Sequence, residues 1–255
     1  MKYLIAAVFS LLLLNCKNDK SQKDTKPLTA TDIVNKAIDV AGGDKFKKSV
    51  ITFNFRDHQY EAERYDGLYN FSRLKLSDSV FILDVLNNKG FERFINEKPV
   101  AVSDSMATVY TSSVNSVHYF SVLPYGLNDK AVKKSQIEQE IIKDKIYYKI
   151  KVTFSENGGG EDYEDVFVYW IDNKSYKVDY LAYSYNEVDG RGMRFREAYN
   201  ERYIEGLRFV DYNNYKASPA ENSLAELGKL FEANKLELLS KIELKQVSVS
   251  LIQRQ

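Results

Sequence analysis

The feature that most constrains the fold is an alternation of apolar and polar side chains that recurs along the chain. From Ile146 to Phe154, every second residue is Ile, Tyr, Val or Phe, and the residues between them are Tyr, Lys and Thr. A period of two residues is the pattern of a β-strand with one buried face. Turn sequences such as Asp66-Gly67 separate successive stretches of this kind. Strands joined by such short turns pair antiparallel.

Three segments follow the helical period instead. Apolar residues recur at helical spacing over Ile33–Ala41, with Thr29 or Thr31 as the cap, and again over Ser103–Leu123. The third segment opens at Ser223 with the pattern of a capping box. We therefore expect about ten strands and three helices, which is a mostly β fold of the α+β class. The expected architecture is a curved antiparallel sheet or half-open barrel with helices over its concave face.

The N-terminus has the pattern of a secretory signal. A short apolar run, Tyr3–Leu14, is preceded by Lys2 and followed by Asn15 and Cys16. A membrane span needs about 20 apolar residues, so this run is too short to be one. Cys16 stands where the lipid-attachment cysteine of a bacterial lipoprotein stands, although the residue before it is usually small. The alternative is an ordinary signal peptide with a chance cysteine.

This pattern predicts the domain organisation and the location. We expect a cleaved signal peptide over residues 1–15, a lipidated Cys16 with a flexible tether over residues 16–28, and a single β-rich domain over residues 29–255. Lys17, and not Asp, follows the cysteine, so the inner-membrane retention signal of enteric bacteria is missing. The chain is therefore expected on the outer membrane, facing the periplasm or the exterior, with its lipid as the membrane contact.

Composition argues against several classes of partner. Lys and Arg together number 36, the same as Asp and Glu, so no basic excess predicts a nucleic-acid partner. One cysteine and two histidines are too few for thiolate or His-rich metal sites. The acidic segment 161–165 does not match a calcium-binding loop. We expect no metal and no cofactor.

Several stretches of the chain resemble an uncharacterised lipoprotein family of the Bacteroidetes, designated DUF6503. They are Ser113–Phe120, Leu123–Asp129, Gly158–Gly160, Asp179–Tyr185 and Arg191–Ala198. The order of elements also resembles the LolA/LolB-like superfamily, which includes a periplasmic lipoprotein carrier and its lipidated receptor. That resemblance implies a hydrophobic cavity between sheet and helices that takes acyl chains or other apolar ligands.

Aromatic residues and two arginines are the candidates for such a cavity. The aromatic candidates are Tyr148, Phe154, Trp170, Tyr180 and Phe195. Plain core would use the same inward face, and the alternation does not separate the two interpretations. Arg194 and Arg196 share one face of a strand, where they would meet an anionic head group at the cavity mouth. Cross-strand pairing with acidic residues on the wet face is the alternative.

His118 is the one candidate for catalysis, because it lies on the second helix near Ser113 and Ser116. No nucleophile motif accompanies it, and a packed histidine is the preferred interpretation. We expect a non-catalytic, lipid-anchored protein that binds an apolar or amphipathic ligand, such as a lipid or acyl chain. The alternatives are a binding or scaffold subunit of an envelope complex and, less favoured, a hydrolase that uses His118.

Overall fold

The computed structural model describes residues 27–159, 163–187, 190–217 and 223–253. The predicted signal peptide, Cys16 and most of the predicted tether lie outside these ranges. The described residues contain three α-helices and fourteen strands, which confirms the prediction of a mostly antiparallel β fold with helices. Within these ranges, no helix combines the length and the apolar character needed to cross a membrane.

The elements are numbered in chain order. The helices are α1 (Ala30–Ala41), α2 (Asp104–Ser121) and α3 (Leu227–Glu232). The first strands are β1 (Lys48–Phe55), β2 (His58–Tyr65), β3 (Leu68–Ser77), β4 (Val80–Asn87), β5 (Gly90–Ile95) and β6 (Lys98–Val100). The later strands are β7 (Val132–Ile142), β8 (Lys145–Phe154), β9 (Val166–Asp172), β10 (Val178–Glu187), β11 (Gly190–Ile204), β12 (Leu207–Lys216), β13 (Glu237–Ile242) and β14 (Lys245–Leu251).

The strands form two antiparallel sheets of seven strands each. The first sheet has the order β14-β1-β2-β3-β4-β5-β6, and the second has the order β13-β12-β11-β10-β9-β8-β7. Neighbours are therefore mostly consecutive in the chain, as hairpin connections require. The exception is the C-terminal strand β14, which returns to pair with β1 and closes one edge of the first sheet.

One stretch near the C-terminus with the pattern of a single strand is divided between the two sheets. The sequence pattern predicts one strand over Ile242–Leu251, but the chain leaves the second sheet after β13 and joins the first sheet as β14. The crossing is held by polar contacts. The backbone N–H of Leu244 donates to Asp211 at 3.0 Å, and Arg202 donates to the Leu244 carbonyl at 2.7 Å. A short linker thus fastens the two sheets together.

Strand β7 is an element that the sequence pattern does not predict. Many of its exposed positions carry Lys, Gln or Glu, as at Lys133 and Glu138, and these residues hide the alternation. The strand forms the edge of the second sheet and pairs with β8 alone. Charged residues are common on edge strands because they discourage pairing with a further chain.

Both faces of the second sheet are buried. We call the face toward α1 and α2 the inner face, where Ile33 and Val34 of α1 share a core with Tyr169 and Leu181. We call the opposite face the outer face, where Leu227 and other residues of α3 cover a second core. Two of the three helices therefore lie over the inner face as expected, whereas α3 covers the outer face.

The helix ends follow their sequence signals to different degrees. Thr29, and not Thr31, caps α1, and its hydroxyl accepts from the Asp32 backbone while Asp32 accepts from the Thr29 backbone. Gly42 ends this helix at a φ of 131°, and a Cβ there would collide with Leu207. Ser223 makes no side-chain capping bond and precedes a 3-10 turn that leads into α3.

A buried ion pair lies under α3 on the outer face. Lys149 and Glu140 are 5 % and 7 % exposed, and their Nζ and Oε2 atoms are 2.6 Å apart. Trp170 donates to the same carboxylate oxygen at 3.1 Å, and Lys149 donates to the Ala225 carbonyl at 2.7 Å. Gly228 leaves room for this network, because a Cβ there would meet Glu140 and Trp170.

We predict that Lys149→Met strongly destabilises the protein. The substitution leaves the Glu140 carboxylate buried without its cation, which costs about 3–5 kcal/mol. Chemical denaturation followed by Trp170 fluorescence measures the free energy of unfolding. The matched control is Lys229→Met, which breaks the exposed pair with Glu226 and costs at most about 1 kcal/mol. Equal losses in the two variants would contradict the role assigned to the buried pair.

Candidate functional site

A cavity of about 780 Å³ lies between the C-terminal half of α2 and the inner face of the second sheet. On α2, Ser112, Ser116 and Phe120 face it at helical spacing of four residues. On the sheet, it is lined by inward-facing residues of β8 to β12. The sheet residues are Phe154, Phe167, Tyr183, Tyr185, Arg196, Val210 and Tyr212. Phe55 at the end of β1 and Arg56 in the turn that follows also line the cavity, so both sheets border it.

Aromatic rings form the wall on either side of the cavity. The Phe120 ring of α2 lies 5.9 Å from the Phe167 ring and 5.4 Å from the Tyr183 ring, centroid to centroid. Phe167 and Tyr183 are cross-strand partners and stack at 5.5 Å. Such contacts stabilise a wall of large apolar area without filling the space in front of it.

Arg196 is the buried charge of this wall. It is 8 % exposed, and its Nη2 donates to the Tyr183 hydroxyl at 2.8 Å. Its guanidinium carbon lies 4.1 Å from the Phe120 ring centroid and 4.8 Å from that of Tyr183. The buried Nε has no hydrogen-bond partner among the described residues. Arg196 is thus among the residues that line the cavity.

Arg194 lies on the same strand, two residues earlier. Its Nη1 donates to the Met193 carbonyl at 2.9 Å, and its guanidinium carbon lies 5.2 Å from the Tyr185 ring centroid. Tyr185 borders the cavity, but Arg194 does not. The structure thus places this second predicted arginine beside the rim rather than in the wall.

The five predicted aromatic residues are divided between two faces. Phe154 lines the cavity. Tyr148 is on the inner face outside the cavity, where its ring stacks on Tyr176 at 6.2 Å. The other three are in the outer core under α3: Trp170, Tyr180 and Phe195. The alternation shows which residues of a strand share a face. It does not show whether that face is the inner or the outer face of the sheet, because helices cover both.

Most of the lining residues, including three aromatic residues of the sheet, are not among the sequence candidates. Phe167, Tyr183 and Tyr212 each lie two residues from a buried apolar residue of the same face, so the alternation marks them as inward. The missing information is the register between strands. That register places Phe167 opposite Tyr183 and brings both under the end of α2.

The wall that α2 provides is anchored to the first sheet by a buried carboxylate. Asp84 of β4 is 1 % exposed and accepts from Arg73 at 2.6 Å and from Arg93 at 2.6 Å. Arg73 also donates to the Ser113 hydroxyl of α2 at 2.6 Å. The Arg93 guanidinium lies 3.5 Å from the centroid of the Tyr110 ring. Two turns of the helix are thereby fixed to the sheet.

His118 also packs α2 against the first sheet. It is fully buried, and its ring stacks on Phe71 at 4.7 Å. Its Nε2 donates to the Ser72 carbonyl at 3.1 Å, whereas Nδ1 has no partner among the described residues. Burial lowers the pKa of His118 to about 3, so the ring is neutral at physiological pH. This geometry agrees with the packed histidine, and the described residues place no hydrogen-bonded nucleophile on the ring.

We predict that His118 makes stability depend on pH below neutrality. The folded pKa is about 3 against 6.5 for the free side chain, so between these values the unfolded chain binds a proton that the folded chain does not. The free energy of unfolding therefore falls as the pH drops. Between pH 7 and pH 5, the free energy of unfolding should fall by about 2 kcal/mol more in wild type than in His118→Gln.

Urea titrations at the two pH values measure this difference. Gln retains an N–H donor for the Ser72 carbonyl but does not titrate. As a control, His58→Gln removes a partly exposed ring and should keep most of the wild-type loss. Identical pH dependence of wild type and His118→Gln would show that His118 titrates normally in the fold.

Solved structures with a similar arrangement are distant in sequence. A LolA superfamily protein from Nitrosomonas europaea is 12 % identical, with a TM-score of 0.49 over 90 % of this chain and 96 % of that chain. A domain from Vibrio parahaemolyticus, named as a candidate outer membrane lipoprotein-sorting protein, is 8 % identical, with a TM-score of 0.40 over 80 % and 97 %. A DUF1329 family protein from Desulfovibrio piger is 10 % identical, with a TM-score of 0.38 over 88 % and 92 %.

The sequence itself matches a family model over most of its length. No curated protein sequence matches the chain. The model of the family of unknown function DUF6503 matches residues 7–244, a range that includes every strand lining the cavity and all three helices. The family that the sequence motifs predict is therefore confirmed, and the chain belongs to the family of unknown function DUF6503.

Proposed function

We propose that this protein is a lipid-anchored envelope protein that binds an apolar or amphipathic ligand without catalysis. The observation that carries the proposal is the cavity of about 780 Å³ between α2 and the second sheet. Its volume lies within the range of about 300–1,000 Å³ that is typical of small-molecule sites. Space of this size between packed elements is unusual for plain core, because protein interiors are close-packed.

The chemistry of the wall indicates the kind of ligand. Large apolar side chains such as Phe120, Phe154 and Phe167 provide most of the sheet and helix contacts. The polar side chains of the wall are Thr111, Ser112, Asn115, Ser116 and Ser121 on α2 and Arg196 on the sheet, with Arg56, Glu164, Asp165 and Asn186 in a turn and near strand ends. A ligand with a long apolar part and one polar end, such as a lipid or an acyl chain, matches this distribution.

The N-terminal sequence supports a membrane location for this binding activity. A lipid on Cys16 followed by a polar tether would hold the domain close to the membrane in which such ligands reside. The outer membrane is the proposed location, because Lys17 and not Asp follows the cysteine. Anchoring and binding are separate parts of the proposal, and each has its own test.

We predict that the purified full-length chain carries a lipid in near-equimolar amount and that Ser112→Trp removes it. Indole at this position projects from α2 into the cavity and occupies the space of the ligand. Native mass spectrometry of the folded protein and mass spectrometry of an organic extract measure the bound lipid. The matched control is Thr108→Trp, one turn earlier on the exposed surface of α2, which should retain it.

Two outcomes would contradict ligand binding in this cavity. One is a protein free of lipid that also binds no added fatty acid or fatty alcohol. The other is equal lipid content in the two tryptophan variants. A stoichiometric protein partner recovered from membranes in either case would favour the alternative of a scaffold subunit in an envelope complex.

We predict that Cys16→Ala abolishes lipid attachment and membrane association. Cells grown with a radiolabelled or alkyne-bearing palmitate should label wild type and not the variant, because the chain has no other cysteine. Fractionation should then find the variant outside the membrane pellet. Labelling that survives the substitution would rule out Cys16 as the attachment site.

A further inference from the structure

Arg196 is a buried cation whose charge the described protein does not neutralise. Two other buried cations of the same sheet have carboxylate partners: Lys149 pairs with Glu140, and Arg208 pairs with Glu201. No carboxylate lies within ion-pair distance of Arg196 in the part of the chain that the structure describes. Arg64 is also buried without such a partner, but it does not line the cavity.

The surroundings of Arg196 satisfy the guanidinium only in part. A guanidinium has five N–H donors, and among the described residues one hydrogen bond is formed, to the Tyr183 hydroxyl. The rings of Phe120, Tyr183 and Tyr212 lie 4.1 to 6.0 Å from its carbon. Aromatic faces attract a cation by about 0.5–2 kcal/mol, which is less than the cost of removing a charge from water. An anion would complete the site.

Two carboxylates, those of Glu164 and Asp165, also border the cavity. Glu164 and Asp165 precede β9, which begins at Val166 opposite Ser184 of β10. Arg196 pairs with Leu181, three residues before Ser184 in β10, so these two backbone positions are about 10 Å apart at roughly 3.3 Å per residue. Glu164 accepts a hydrogen bond from Asn186 at 2.7 Å. Neither carboxylate forms an ion pair with Arg196, which is left for the ligand.

Apolar residues of the cavity wall lie next to the guanidinium of Arg196. Val210 and Tyr212 are on the neighbouring strand β12, and Ile242 is the cross-strand partner of Tyr212. An amphiphile that places its charged end at Arg196 therefore has apolar surface within reach for its chain. A neutral lipid would leave the buried guanidinium without a counter-charge.

We propose that the cavity selects an anionic amphiphile, with a carboxylate or phosphate group bound by Arg196. The inference rests on the proposed ligand-binding function and adds the charge of the ligand and the residue that recognises it. The planar guanidinium favours oxyanions that accept two N–H bonds at once.

The test compares three probes with the same sixteen-carbon chain: palmitate, hexadecyl phosphate and hexadecan-1-ol. Affinities for the full-length chain are measured by displacement of a fluorescent fatty acid. Wild type should bind at least one of the two anions about tenfold or more tightly than the alcohol. The better of the two anions identifies the head group as carboxylate or phosphate.

Variants assign the preference to Arg196. Arg196→Met keeps an unbranched, though shorter, side chain and removes the charge. The affinity for the two anions should therefore fall to that for the alcohol, while the affinity for the alcohol should change less than about threefold. Arg196→Lys should restore part of the preference. Lys151→Met, which removes an exposed charge from the same sheet, should behave as wild type and so excludes an effect of net charge.

The two proposals fail in different ways. If all three probes bind wild type equally, the cavity binds lipid but Arg196 does not select an anion. If none binds, the proposed function itself fails. A preference for anions that survives in Arg196→Met would also overturn the assignment.

Thermal unfolding of the unliganded protein is a second measurement. Arg196→Met should melt at the same temperature as wild type or higher, because it removes a buried charge that has no counter-charge in the protein. A large fall in the melting temperature would show instead that Arg196 is a structural residue of the sheet.

Discussion

The structure depends on the way α2 is fastened to the first sheet. Asp84, buried between Arg73 and Arg93, holds the helix through Ser113 and Tyr110, and His118 packs beneath the next turn. The other side of the same helix faces the second sheet across the cavity. One helix therefore belongs to the core of one sheet and forms the wall of a space in front of the other. The position of α2 is set by the buried charges and by the neutral, buried His118. The helix therefore does not need to fill the cavity to stay in place.

Buried charged groups on the two faces of the second sheet have different partners. On the outer face, Lys149, Glu140 and Trp170 form a network under α3 in which the cation and the anion neutralise each other. On the inner face, Arg196 is surrounded by aromatic rings and has one hydrogen bond among the described residues. A buried ion pair in which both charges belong to the protein serves the fold, whereas a buried charge without a counter-charge beside a cavity is what a binding site for an oxyanion requires.

Much of the architecture could be predicted from local pattern. The alternation identifies most strands, the helical period and Thr29 locate α1, and turn residues separate the hairpins. Strand β7 is missed because charged residues on an edge strand obscure its period. The division at Glu243 and Leu244 is missed because local sequence does not show that β13 and β14 pair with different partners. The candidate site is predicted in part, with Phe154 and Arg196 in the cavity wall and Trp170, Tyr180 and Phe195 in the outer core.

The sequence by itself determines the antiparallel β class, the three helices, the family and the position of the single cysteine after an apolar run. These follow from patterns within a few residues or from motifs that resemble those of a known family. Only the tertiary structure decides which face of each strand borders a cavity, because alternation assigns residues to two faces and does not say what covers either of them. It also decides that Arg196 has no carboxylate partner among the residues that the structure describes and that His118 is packed. Both depend on strand register and on contacts between residues far apart in the chain.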